Sequence, residues 1–383
     1  MTTLIRKNIN LVALVILLIG LILSIITVEA QEIEQGQVHL SIRNKLLLDL
    51  QNGTDPIRIP TNDLRFAGPG ILSASWELLT SNAEWTARNQ HSSVILPNGS
   101  ILLMGGIDNS GDLNDIWRSN DGGATWTQVT DNAEWSARRA HTSVVLPDGS
   151  IVLFGGFTQV SGSLIPRNDV WRSTTEGETW HLMTDSPEWP SRINSPSLVL
   201  PDGDILLIGG GLHNDVWRSD DKGKTWTLVS DDAGWQKRSS HSTVLLPGGE
   251  IVLIGGADSN FKMLNDVWHS DDQGVTWSQV TESAEWTGRF SHSSVVLPDG
   301  SILLIGGWVG SANGEVWQSS NGGATWTLIT DASAWTARYG HTSEVLPDES
   351  VLLIGGYLNI RQNDVWRMIM IESFDVFLPL INR

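Results

Sequence analysis

Short apolar runs, each ending in a pair of glycines, recur along most of the chain. The double glycines begin at residues 105, 155, 209, 255, 306 and 355, a spacing of about fifty residues. Each repeat of about fifty residues contains four segments with strand character. In the first repeat these are His91 to Leu96, Ile101 to Gly105, Asp115 to Ser119 and Trp126 to Thr130. No repeat contains a segment with a helical period. Repeats of this length with four strands each predict an all-β propeller.

The polar segments between the strands have the composition of tight turns. Strands one and two are joined by Pro-Asn/Asp-Gly, as at Pro97 to Gly99 and Pro147 to Gly149. Proline presets φ and glycine accepts positive φ, so this sequence favours a chain reversal. Strands three and four are joined by Ser-x-Asp-x-Gly-x-Thr-Trp, complete at residues 119–126, 219–226 and 270–277. We expect the aspartate of this turn to bond the backbone of its own turn.

The number of strands predicts how the ring closes. Strands one to three occur six times after residue 90, but the Trp-led fourth strand occurs there five times, at residues 126, 180, 226, 277 and 326. The missing copy lies ahead of the repeats, because Trp76 to Thr80 resembles Trp126 to Thr130. The predicted fold class is therefore an all-β, six-bladed β-propeller of four-stranded antiparallel blades, closed by an N-terminal strand supplied to the last blade.

Three recurring motifs resemble kelch repeats. They are the double glycine, an Arg-x-x-His-Ser/Thr ahead of strand one, and the Asn-Asp-Val-Trp of strand three, found at Asn168 to Trp171, Asn214 to Trp217, Asn265 to Trp268 and Asn363 to Trp366. The hairpin between strands three and four resembles the Asp-box, or BNR repeat, of sialidases and related propellers. Together these patterns cover residues 76–367, and the resemblance implies a propeller over that range.

The two ends of the chain differ from the repeats. Arg6 and Lys7 precede an apolar stretch from Ile9 to Val28, and small residues lie before Gln31. This pattern predicts a secretory signal over residues 1–30, cleaved after Ala30. The stretch is also long enough to span a bilayer, so an uncleaved membrane anchor is the alternative, and it would be the chain's one contact with a membrane. Either interpretation predicts a secreted protein or one on the extracytoplasmic cell surface.

Two further segments lie outside the predicted ring. Residues 31–75 contain little periodic structure and are interpreted as a spacer, whereas residues 76–367 form the propeller. Residues 368–383 form a C-terminal tail. Its apolar run from Phe374 to Ile381 is either an extra packed strand or a terminal sorting signal.

Composition narrows the classes of function. The sequence has 24 Lys+Arg against 43 Asp+Glu, a formal charge of -19, and so acidic a surface repels phosphate backbones, which argues against nucleic acid as a partner. It has no cysteine, which excludes disulfides, thiolate zinc sites and the thioether-linked copper site of kelch-type galactose oxidases. Calcium at Asp108, Asp112 and Asp258 stays open but lacks a dense Asp-x-Asp pattern. We predict no metal and no cofactor.

The segments that connect consecutive blades carry a repeated Trp-x-x-Arg-x-x-His. The copies are Trp85, Arg88 and His91; Trp135, Arg138 and His141; Trp235, Arg238 and His241; Trp286, Arg289 and His292; and Trp335, Arg338 and His341; a sixth connector has Trp189 and Arg192 but Ser195. The indoles and arginines have the chemistry to bind sugar faces and carboxylates. A residue that recurs in nearly every blade is more simply explained by a structural role, such as holding the connector against the neighbouring blade.

The irregular sequence is concentrated on one predicted face of the ring. The segments after the double glycines differ in every repeat: Ile107 to Leu113, Phe157 to Arg167, Gly211 to His213, Ala257 to Leu264, Trp308 to Ala312 and Tyr357 to Gln362. Variable loops on a rigid scaffold predict a non-catalytic binding module, a monomer whose partner is an extracellular protein or glycan. The alternative is a sialidase-like glycoside hydrolase acting on acidic sugars, because Ile57 to Pro60 resembles the Arg-Ile-Pro motif of sialidases, with Arg58 as its arginine.

The sixth blade departs from the repeat pattern. It holds the only two tyrosines, Tyr339 and Tyr357, and it has Glu344 where the other first strands carry Val94, Val144, Leu198, Val244 and Val295. A buried carboxylate is costly unless it is paired. One hypothesis is a ligand pocket lined by Glu344, Tyr339 and Tyr357 with Arg338 and Trp308. The alternative is that the closing blade packs differently and tolerates Glu344 at its margin. No catalytic residue is predicted.

Overall fold

The computed structural model describes the backbone of residues 26–33, 37–44, 65–66, 73–330, 334–371 and 375–379. The chain divides into two compact units, one of Trp76–Ile369 and one of Met1–Ser75 with Met370–Arg383. Most of the predicted signal or anchor, residues 1–25, and the Arg58 motif lie outside the described residues. Within the described ranges, the chain has no helix with the length and apolar character that a bilayer crossing requires.

The smaller unit contains a four-stranded antiparallel sheet. Its strand order is Ile26–Ile33, Gln37–Asn44, Asp375–Pro379 and Arg65–Phe66. The C-terminal apolar run therefore contains a strand, which pairs with Gln37–Asn44 on one side. The first strand spans the predicted cleavage position after Ala30, and cleavage itself stays a prediction.

The larger unit is a six-bladed β-propeller, which confirms the predicted fold class. Its six sheets each have four antiparallel strands, and the described part of the unit contains no helix. The strands of blade 1 are Ser92–Ile95, Ile101–Ile107, Asp112–Ser119 and Thr127–Thr130. Those of blade 2 are Thr142–Val145, Ile151–Phe154, Val170–Ser173 and His181–Thr184. Those of blade 3 are Ser197–Val199, Ile205–Gly210, His213–Ser219 and Thr227–Ser230.

The remaining blades show how the ring closes. The strands of blade 4 are Ser242–Leu245, Ile251–Ala257, Met263–Ser270 and Ser278–Thr281. Those of blade 5 are Ser293–Val296, Ile302–Ile305, Val316–Ser319 and Thr327–Thr330. Blade 6 consists of Thr342–Val345, Val351–Leu358 and Ile360–Ile371, completed by Ser73–Thr80 from ahead of the repeats. The N-terminal strand supplies the fourth strand of the last blade, as the sequence predicts.

The core lies between adjacent blades. Strand two is apolar at four consecutive positions, and residues such as Ile251 to Ile254 are fully buried, because both faces of a blade pack against neighbours. Each connector indole packs edge-to-face against the indole of the strand-four segment, at interplanar angles of 71° to 90°, and the ring centroids of Trp85 and Trp126 are 6.1 Å apart. Such edge-to-face pairs bury a large area with a defined geometry. The connector tryptophans and most of their strand-four partners are therefore buried between adjacent blades, where they help to set the spacing.

The double glycine is required where strand two passes the connector. Gly106 has φ +92, and a Cβ there would lie 2.8 Å from the Cβ of His91 and 2.9 Å from the carbonyl oxygen of Asn89. The equivalent Gly256 would bring its Cβ 2.7 Å from the Cβ of His241. The backbone conformation and the close approach both exclude a side chain. The glycine allows the connector to lie directly on its blade.

Candidate binding face and axial cavity

The connector arginines are buried and paired. Arg88 donates from both terminal nitrogens to the carboxylate of Asp115, at 2.6 and 2.8 Å, and to the carbonyl oxygen of Gly105 at 3.0 Å. Equivalent ion pairs join Arg138 to Asp169, Arg192 to Asp215, Arg238 to Asp266, Arg289 to Glu315 and Arg338 to Asp364. This agrees with the structural interpretation of the repeated motif. These six arginines do not supply the substrate-carboxylate clamp of a sialidase.

In blade 1 the strand-three motif contacts two connectors. Asp115 accepts hydrogen bonds from Arg88 of one connector and from Trp117 Nε1, the latter at 2.8 Å. Asn114 donates to the carbonyl oxygens of Ala133 and Trp135 in the next connector. In blade 2, burial alone would raise the pKa of Asp169, but the hydrogen bonds and charge of Arg138 and a bond from Trp171 lower it overall. The carboxylate of Asp169 is therefore an ionised structural group.

The turn between strands three and four is held by its own side chains. Asp121 accepts from the backbone N–H of Thr125 at 2.9 Å, from its hydroxyl at 2.6 Å and from Ser119 Oγ at 2.8 Å. Ser119 Oγ in turn accepts from the backbone N–H of Gly123 at 2.8 Å. These bonds confirm the predicted role of the aspartate and explain why the pattern recurs. The assignment of these turns to the Asp-box family stays a prediction.

A ring of backbone hydrogen bonds surrounds the propeller axis. One connector residue per blade takes part: Gln90, Ala140, Asn194, Ser240, Ser291 and Gly340, all with positive φ. Each N–H donates to the carbonyl oxygen of the residue in the preceding blade, at 2.8 to 3.2 Å, and the N–H of Gln90 donates to Gly340. The bonds therefore form a closed circle, which we call the axial ring. The axial ring has no signature in the amino-acid sequence, because it uses only backbone groups.

A cavity of about 310 Å³ lies along the axis, bordered by the axial ring and the starts of the first strands. Most of its imidazoles bond a hydroxyl of the adjacent blade through Nε2. The pairs are His141 with Ser92, His292 with Ser242, His341 with Ser293 and His91 with Thr342, at 2.9 to 3.1 Å. Burial and the nearby arginines lower the pKa of His141, His241 and His341 to about 3 and those of His91 and His292 well below 6.5. The five imidazoles are therefore neutral at pH 7.

Blade 3 interrupts this alternation of imidazole and hydroxyl. Ser195 replaces the histidine, and Pro196 replaces the hydroxyl residue that would bond the imidazole of blade 4. As a result, His241 Nε2 and the hydroxyl of Thr243, both in blade 4, have no hydrogen-bond partner. Both residues line the cavity, and they are only 6% and 8% exposed. Buried polar groups are normally paired, so these two require an explanation.

Glu344 also lines the axial cavity. Its Oε1 accepts a 2.6 Å hydrogen bond from Ser93 Oγ of the first blade. The residue is half-buried by surface area because it faces the cavity, yet protein surrounds it. Burial raises the pKa of Glu344 to about 7, against a smaller lowering by the bond from Ser93. The carboxyl group therefore titrates near neutral pH.

The structure separates the five residues predicted to form one pocket. Trp308, Tyr339 and Tyr357 form a row, with ring centroids 5.1 Å apart for the first pair and 5.5 Å for the second. Glu344 instead faces the axial cavity, whose lining includes none of the other four residues. Arg338 is buried and bound to Asp364. The aromatic row and the carboxylate are thus two separate features of the same blade.

Large apolar side chains are exposed at the tips of the variable loops. Phe261 is 81% exposed, Ile360 69% and Leu164 57%; Phe261 and Leu164 lie between strands two and three of their blades, and Ile360 begins strand three of blade 6. The loop of blade 2 is itself a hairpin of Phe157–Val160 and Ser163–Pro166. Backbone bridges such as Asn89 to Ile107 and Tyr339 to Tyr357 place these loops on the same face as the connectors. We call this surface the loop face.

The described residues contain no group of three or more His, Cys, Asp or Glu placed to hold a metal ion. The axial imidazoles are engaged with hydroxyls or separated from one another. Asp108 accepts from Ser110 and from the backbone of its own loop, and Asp258 accepts from the backbone of Asn260 and Lys262. These carboxylates shape the loops in which they lie.

One comparison with known proteins agrees with this architecture. Residues 70–246 match the family model described as the KLHDC2/KLHL20/DRC7 Kelch-repeats domain. A comparison with the curated proteins finds no match. The chain is a six-bladed β-propeller that is similar, over residues 70–246, to kelch-repeat domains.

Proposed function

We propose that this propeller is a non-catalytic protein-binding module that works outside the cytoplasm and contacts its partner with the loop face. The observation that carries the proposal is the set of apolar side chains at the loop tips, which come from several blades around one face. Exposed apolar clusters rimmed by polar residues are typical of protein interfaces. The extracytoplasmic location rests on the N-terminal segment alone.

The backbone at the loop tips supports a role in binding. Phe261 has φ +59 and Leu212 has φ +68, a conformation that disfavours bulky side chains. Glycine or asparagine would adopt it at lower cost, and Phe261 is too exposed for packing within the propeller to offset the strain. Strained, exposed residues are more simply explained by contacts in a complex.

The chemistry of the tips favours a protein over a glycan. Leu164 and Ile360 are aliphatic, whereas sugars pack on flat aromatic faces. The similarity of residues 70–246 to kelch-repeat domains is consistent with a protein partner. We therefore expect an apolar centre on the partner surface, with polar contacts at its edge.

Affinity capture with two matched variants tests the proposal. The loop-tip variant combines Leu164→Ser, Phe261→Ser and Ile360→Ser. The control variant replaces three leucines that are exposed on fourth strands: Leu182→Ser, Leu228→Ser and Leu328→Ser. A specific partner should be captured by the wild type and the control but lost from the loop-tip variant, with unchanged thermal unfolding.

Three outcomes would overturn the proposal. The first is a partner lost equally from both variants. The second is self-association of the wild type, removed by the loop-tip changes and detected by analytical ultracentrifugation, since the occupant would then be a second copy. The third is hydrolysis of a fluorogenic sialoside that Arg58→Ala abolishes, which would establish the enzyme.

A further inference from the structure

Each imidazole of the axial cavity leaves its Nδ1 without a hydrogen-bond partner, and the remaining unmatched groups of the lining are unevenly placed. His241 Nε2 and Thr243 Oγ1 have no partner beside the interruption at Ser195 and Pro196. Glu344 lies two blades further round the axis, where it accepts one hydrogen bond from Ser93. The cavity therefore offers two unmatched groups in blade 4 and a carboxylate in blade 6.

The charge of the cavity favours a cation. Among the described residues that line it, Glu344 is the one carboxylate, and neither lysine nor arginine contributes to the lining. Glu344 accepts its hydrogen bond from the hydroxyl of Ser93, and the imidazoles that line the same cavity are neutral. The nearby guanidinium of Arg88 is held by Asp115. The ionised carboxylate would repel an anion, whereas a cation would gain a charged partner.

Size and lining exclude other occupants. A volume of about 310 Å³ matches a small molecule rather than a folded segment. The described lining contributes hydroxyls, imidazoles, two side-chain amides and backbone groups, without an indole, phenol or phenyl ring for stacking. A hard metal ion usually takes several oxygen ligands, most of them carboxylates, whereas the described lining has one carboxylate and the described residues contain no group of three or more His, Cys, Asp or Glu placed to hold a metal ion. An ammonium group instead needs only a carboxylate and neighbouring acceptors.

We propose that the axial cavity binds a small, free organic cation that has a primary ammonium group for Glu344 and a hydroxyl or similar polar group for His241 and Thr243. The interrupted blade 3 provides the space and the unmatched hydrogen-bonding groups, and blade 6 provides the charge. This site goes beyond the protein-binding function proposed for the loop face. The two proposals are tested with different residues, so that either can fail alone.

Isothermal titration of the full chain with three matched probes tests the proposal. The probes are 4-amino-1-butanol, the neutral 1,4-butanediol and the anionic 4-hydroxybutyrate, which share a chain and a hydroxyl but differ in charge. The amine should bind saturably and at least about tenfold more tightly than the other two, because hydrogen bonds to charged groups are strong. Binding at pH 7 should release protons to the buffer, since the ammonium group selects ionised Glu344.

Variants connect this binding to the cavity. Glu344→Gln should weaken amine binding about tenfold or more, and Thr243→Val severalfold. Glu349→Gln removes the same charge from an exposed turn of the same blade and should change nothing. Equal affinity for the amine and the diol, unchanged binding by Glu344→Gln or no saturable amine binding would overturn the proposal. Binding of a capped lysine but not of the amino alcohol would also overturn it, because the source would then be a partner side chain.

Discussion

Glu344→Gln should change the pH dependence of folding in a defined way. The folded-state pKa of Glu344 is raised to about 7 from 4.5, so the folded chain retains a proton that the unfolded chain loses between these two values. In the wild type, the contribution of this group to the free energy of unfolding is fully present below pH 4.5. It is lost as the pH rises from 4.5 through about 7. Glutamine keeps the shape and the acceptor for Ser93 but cannot ionise. The variant should be the more stable protein at neutral and alkaline pH.

The size of the effect follows from the two pKa values. A shift from 4.5 to about 7 corresponds to roughly 3 kcal/mol once the pH exceeds both values. The advantage of the glutamine variant should be about 1 kcal/mol at pH 5 and about 3 kcal/mol at pH 8. These figures are upper values, because a half-buried carboxylate keeps part of its hydration.

Urea unfolding of both proteins from pH 5 to pH 8 measures this difference directly. Taking the difference between the two proteins cancels the other titrating groups, including the axial histidines. Glu349→Gln is the control, and its difference from the wild type should stay small and independent of pH. A difference between wild type and Glu344→Gln that does not grow with pH would refute the assignment of a desolvated carboxyl group at the axis.

Three further predictions concern the ring. A chain beginning at residue 81, which lacks the strand Ser73–Thr80, should melt far below one beginning at residue 71, and equal melting temperatures by circular dichroism would contradict the closure. Arg238→Met leaves the carboxylate of Asp266 without its cation and should lower the free energy of unfolding in urea by about 3–5 kcal/mol. The more exposed Arg172→Met should lower it by about 1 kcal/mol or less, so comparable losses would argue against a structural role for the connector arginines. The free energy of unfolding should also fall as the pH drops below 6.5, because the histidines bind protons in the unfolded chain but stay neutral when buried in the folded one. This effect of five histidines outweighs the opposite trend of Glu344. His141→Gln should reduce the loss, measured by urea unfolding at pH 7.5 and pH 5.

The fold was accessible from the sequence because the same physical requirements recur in every blade. Gly106 and its equivalents mark a close approach of strand two to the connector, and the Trp76 segment repeats the fourth strand out of order. Each such signal appears several times, so the period and the closure could be counted. Glu344 was recognisable for the opposite reason, because it breaks a position that is otherwise apolar.

The arrangement of the candidate site was less accessible. The sequence groups Glu344 with Tyr339 because both depart from the repeat pattern in the sixth blade, but the carboxylate lines the axial cavity while the tyrosine lies on the loop face. Chemical type predicts what a side chain can bind, whereas its direction depends on how strand and connector pack. Ser195 was visible as a missing histidine, but its consequence for His241 requires the contact between adjacent blades.

The axial ring makes the number of blades an all-or-none property of the chain. Its members bond both neighbours at ordinary hydrogen-bond distances, so the circle has a fixed circumference at the axis. Adding or removing one whole repeat would change the angle between every pair of neighbours, and no single loop could absorb the difference. Insertions in the variable loops do not change the hydrogen bonds of the axial ring. A change in loop length should therefore be tolerated, whereas a change in the number of repeats would break the closed circle of hydrogen bonds.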